Sequence, residues 1–74
     1  MANKDELDIV NEVNYLMDWA FRLNYSDAKS VQIAKDALTK KGLYDKKEAR
    51  YAANLWLDLK GLGALGEKYI PIES

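Results

Sequence analysis

Apolar residues recur at helical spacing in three successive segments of this chain, and each segment closes at residues that stop a helix. In the first, Ile9, Val13, Leu16, Ala20 and Leu23, with Val10, Met17 and Phe21 beside them, share one arc of about 160°. Asn3 with Glu6 has capping-box spacing, and Asp5, Glu6 and Asp8 put negative charge where the helix dipole favours it. A helix over about 4–24 follows. The second segment opens at Ser26, a good N-cap, and closes at Gly42 after Lys40 and Lys41. Leu43 is placed for the apolar contact of a Schellman ending. Val31, Ala34 and Leu38 form the inner face, flanked by Ala28, Ile33 and Ala37, so a helix over about 27–41 approaches its neighbour closely.

The third segment has Asp45 as its N-cap with Glu48 at N3, and Gly61 and Gly63 past its end, which predicts a helix over about 46–60. Its apolar arc is wider, about 200°. Ala49, Tyr51, Ala52, Leu55, Trp56, Leu59 and Leu62 are expected inside, and Leu57 outside among Arg50, Asn54 and Asp58. Residues 61–74 read as a Gly-rich turn, at most one further turn around Ala64–Lys68, and an extended apolar tail at Tyr69–Ile72. Pro71 disfavours helix at Ile70. No segment reads as a strand. Short connections favour antiparallel neighbours, so the expected fold is all-α: one domain over 1–74, a small three-helix bundle running up-down-up with an extended C-terminal tail.

A bundle this small is marginal. One core near this size rarely supplies more than about 3–5 kcal/mol, and the chain has neither cysteine nor histidine to staple it. With 49% of its 74 residues apolar, it carries more apolar surface than so small an interior needs. A homo-oligomer or an obligate partner is therefore expected.

The same two absences trim the chemistry. Zinc, haem and iron–sulfur sites lack their usual ligands, and Ser–His and Cys–His nucleophile pairs are impossible. No histidine switch operates between pH 5 and 8. The chain is expected to be non-enzymatic, with no cofactor. Its polar, acidic opening from Met1 to Glu6 is unlike a secretory signal, and its apolar runs fall far short of the ~20 residues that span a bilayer. The expectation is a complete small cytoplasmic gene product without membrane contact.

Four motifs have a chemical reading. Gly61, Gly63 and Gly66 spell G-x-G-x-x-G, but the dinucleotide fingerprint needs a strand before it and a βαβ unit around it. Here the glycines follow a helix, so they read as a helix stop and turn. Asp8 and Glu12, with Asp5, form a carboxylate ladder better suited to dipole complementation than to holding a cation. Residues 1–25 carry five acids and two bases, net −3, whereas residues 26–51 carry four acids and seven bases, net +3. The basic excess gathers at Lys40, Lys41, Lys46, Lys47 and Arg50. With Tyr44 and Tyr51, this set is the candidate site for a nucleotide or other anionic small ligand: aromatic faces to stack a base, lysines to hold phosphate. Nucleic-acid readout through the third helix ranks third, because the chain is net −1 overall and Glu48 stands where a helix-turn-helix needs an apolar residue.

The fourth motif is an aromatic pair. Tyr15 and Trp19 sit one helical turn apart on the polar side of the first helix, beside Arg22. Either the C-terminal tail folds over them, or they form a protein-binding surface, since Trp, Tyr and Arg dominate binding hot spots. Tyr15, Trp19, Arg22 and Leu57 are accordingly the expected partner-binding residues. The leading functional expectation is a self-associating interaction module, a small inhibitor or regulator that masks a protein partner.

Overall fold

The computed structural model describes residues 4–72, with side chains from Leu7 onward. It holds four helices and, among the described residues, no strand: α1 Lys4–Arg22, α2 Asp27–Lys40, α3 Lys47–Leu59 and α4 Gly63–Tyr69. The all-α class is as expected, but the count is four, because the stretch read as a turn and tail winds into α4. None of these helices is long and apolar enough to cross a membrane.

Local chemistry sets the first three boundaries. α1 ends just before Asn24, whose φ of 66° lies in the left-handed region that Asn tolerates better than most residues. The capping box at Asn3 and Glu6 lies outside the described side chains. Ser26 caps α2 as expected, its side chain accepting from the Lys29 amide at 3.3 Å. At the other end Gly42 takes φ 70°, and the Leu43 amide donates to Leu38 O at 2.9 Å, the long bond of a Schellman motif. The Leu62 amide donates to Leu57 O in the same way at 2.8 Å, past Gly61 at φ 77°. α3 starts one residue later than expected. Lys46 is its N-cap and makes no side-chain cap bond, so the Asp45–Glu48 box does not form.

α1 packs against both α2 and α3, and α4 against α3 and α2. The core is Val13, Leu16, Met17 and Ala20 of α1, Val31, Ala34 and Leu38 of α2, and four residues of α3, closed by Ile70. α2 runs back along α1, since Lys41 at its end pairs with Glu12 at 2.5 Å. α1 and α3 run in the same sense: Leu7 shares a groove with Lys47, and Phe21 packs on Trp56 at the opposite ends of the two helices.

The α3 residues in the core are Ala49, Ala52, Ala53 and Leu57. This corrects the expected orientation. Leu57, expected at the surface, is 0% exposed, whereas Leu55 and Leu59, expected inside, are 52% and 79% exposed. α4 is the reason. A Cβ at Gly66 would meet the Asn54 carboxamide oxygen and come within 3.2 Å of Leu57 Cδ1, so α4 lies directly on this flank of α3. Asn54 Nδ2 donates to Ile70 O at 2.6 Å and to Arg50 O at 2.9 Å, pinning the chain that follows α4 onto α3. With Leu57 covered from that side and the alanines letting α1 close in, the larger residues are turned outward.

Leu57→Ala should therefore cost about 2–5 kcal/mol, the range for a buried leucine. Gly66→Ala should lose about 1–3 kcal/mol despite its better helix propensity, because the new methyl dislodges an Asn54 held by two bonds. Urea unfolding at dilute protein reads both, and wild-type midpoints would contradict this packing. Ser30 gives a prediction of opposite sign. It is buried in α2, and its hydroxyl finds no hydrogen-bond partner among the described residues. Ser30→Ala removes that desolvated group and should raise stability by about 1 kcal/mol, visible as a higher melting temperature.

Candidate functional site

Turning Leu57 inward leaves Tyr51, Leu55 and Leu59 as an apolar stripe along the outer face of α3, at i, i+4 and i+8. Leu7 and Val10 are exposed on the facing flank of α1. Between the two flanks lies a groove of about 560 Å³, with the buried Ala52 and the half-buried Trp56 among its lining and Lys47 and Glu48 at the end nearest the start of α3. Trp56 also packs on Phe21, with the ring centroids 4.9 Å apart, and Lys60 Nζ lies 5.2 Å from the Trp56 ring. A second groove of about 620 Å³ runs between α3 and α4. It shares Tyr51 and Leu55 with the first but carries Asp58 and Glu67. Tyr51 and Leu55 thus form a ridge with an apolar groove on one side and an acidic one on the other.

This face was missed in the sequence because its residues were assigned to the core. The signal that could have found it is the alanine spacing. Ala49, Ala52 and Ala53 are small residues that let a neighbouring helix come close, and the buried Leu57 follows them on α3.

Of the expected partner-binding residues, Tyr15 and Trp19 lie at the surface, 66% and 42% exposed. The tail as far as Ile72 is held elsewhere: Arg50 donates to Pro71 O and Asn54 to Ile70 O, and both anchors belong to α3. Arg22 is exposed beside them and pairs with Asp18 at 2.6 Å. Leu57 does not join this group, because it is buried beneath α4.

The expected anion site is divided among several surroundings. Lys41 is engaged by Glu12, and Lys40 is exposed at the end of α2. Tyr44 is flanked by Lys35 Nζ at 5.5 Å and by the Arg50 guanidinium at 5.8 Å, so its ring already faces two cations of the protein. Arg50 also reaches Pro71 O at 3.4 Å, and its buried Nε has no partner among the described residues. Lys46 caps α3 through its backbone, while Lys47 and Tyr51 line the groove facing α1. In the carboxylate ladder, the Asp5 side chain lies outside the described residues and Glu12 is taken by Lys41. No group of three metal-binding side chains occurs among the described residues.

With Tyr15 at the surface, Tyr15→Ala should leave the protomer's unfolding free energy within about 0.5 kcal/mol of wild type. Trp19→Ala should cost clearly less than the about 3–5 kcal/mol of a buried aromatic. Chemical denaturation at dilute protein decides this, and a loss in the buried range would place Trp19 in the core. In comparisons with known proteins, no family model, no curated protein and no solved structure matches this chain.

Proposed function

We propose that this chain is a non-enzymatic interaction module that self-associates and masks or tethers a protein partner, as a small inhibitor or regulator would. One observation carries the reading: Leu7, Val10, Tyr51, Leu55 and Leu59 are exposed around a single apolar groove on a chain of only 74 residues. Monomers seldom leave so large a fraction of their apolar side chains in one exposed patch, since covering it removes an unfavourable contact with water. The second apolar surface, Tyr15 and Trp19, lies on a different face of α1 from Leu7 and Val10. Self-association through the groove therefore leaves the aromatic pair free for the protein partner, where aromatic side chains supply much of the binding energy.

The full chain in sedimentation velocity should run as a discrete species larger than a 74-residue monomer at micromolar concentration. Its melting temperature should rise with protein concentration, because mass action favours the folded assembly. A monomer at high micromolar concentration, melting at a concentration-independent temperature, would remove self-association from the reading.

A further inference from the structure

We infer that the occupant of the α1–α3 face is a second copy of the chain, packed antiparallel, α3 against α3, about a two-fold axis between Tyr51 and Leu55. The inference rests on the self-association proposed above and adds the surface, the direction and the register.

Charge decides the direction. Lys47 and Asp58 are eleven residues apart on α3, about three turns, and fall within about 20° of each other on its projection. They mark the two ends of the apolar stripe, the Lys47 side chain lining the groove towards α1 and Asp58 the groove towards α4. Glu67 lies beside Asp58 in the α3–α4 groove and adds to the negative end. In a two-fold interface the same patch meets itself. A parallel arrangement would set Lys47 against Lys47 and the acids against acids. The antiparallel one sets Lys47 of each copy against Asp58 of the other. Glu48, on the α1 side of the same turn, then faces the end that carries Lys60.

Apolar positions agree with the same register. An axis between Tyr51 and Leu55 places Tyr51 of one copy against Leu55 of the other, at nearly the midpoint of Lys47 and Asp58. Because α1 runs in the same sense as α3, Leu7 and Val10 lie towards the Lys47 end of the groove. The antiparallel copy brings its Leu59, the most exposed of these side chains, to that end, where Leu7 and Val10 cover it. The interface therefore buries the apolar side chains that line this groove and pairs the charges that flank them.

The test is a charge exchange on the full chain, read by sedimentation equilibrium with circular dichroism to confirm helicity. Lys47→Asp and Asp58→Lys should each weaken self-association about tenfold or more, because each creates two like-charge contacts per dimer. Mixed in equal amounts, the two variants should associate with each other at close to wild-type strength, since every reversed charge again meets its opposite. Leu59→Asp should weaken the dimer about thirty-fold or more, the loss expected of a hot-spot side chain. If Asp58→Lys loses helicity through its contact with α4, cysteines report the register instead. The chain has none of its own, and a mixture of Tyr51→Cys and Leu55→Cys should cross-link unlike copies faster than like ones. A dimer that none of these changes affects would overturn this interface while leaving self-association standing. Weakening without rescue on mixing, or faster cross-linking of like copies, would overturn the antiparallel register, and a monomer at high concentration would overturn both.

Discussion

The close approach of α4 to α3 at Gly66 is the contact on which the rest of the arrangement depends. A helix of seven residues cannot hold itself together in water, because nucleation costs more than so few hydrogen bonds return. α4 exists because it packs. Gly66 removes the side chain that would hold it off α3, Ile70 at its end enters the core, and Asn54 ties the backbone there to α3. In exchange α4 covers Leu57, and a covered Leu57 fixes the rotation of α3 about its own axis.

That rotation decides what the surface offers. α3 has large apolar residues nearly all the way round, so more than one rotation would bury a reasonable set. The one adopted puts its small residues towards α1 and Leu57 under α4, where close packing yields many short contacts. It leaves Tyr51, Leu55 and Leu59 outside. The apolar surface so exposed is not distributed at random: it forms one ridge beside one groove, with Lys47 at one end and Asp58 at the other. Stability of the protomer and availability of the interaction face thus come from the same choice.

Much of the local structure was legible beforehand because its causes are local. Ser26 accepts from an amide three residues away, and Gly42 can adopt a left-handed φ whatever surrounds it. The inner face of α2 was legible too, and so was most of that of α1, although Val10 and Leu23 of its broad arc stay exposed. The failure at α3 has the converse cause. With an arc near 200°, periodicity does not select a rotation, and side-chain size pointed to the wrong one. Reading residues 61–74 as a turn and tail removed the neighbour that would have made Leu57 an inside residue.

What the sequence by itself determined is the class of structure and the class of chemistry. Helical periodicity with well-placed stops makes the chain all-α, and the absence of histidine and cysteine removes thiolate and imidazole sites however the chain folds. Only the tertiary structure decided which side of α3 faces in, that a fourth helix forms, and that the chain through Ile72 is anchored on α3 while Tyr15 and Trp19 stay exposed. The physical reason is the range of the forces involved. Caps, turns and missing functional groups act within a few residues. The burial of Leu57 under α4 is a contact between segments, and its value depends on a neighbour whose own helicity depends on the same contact.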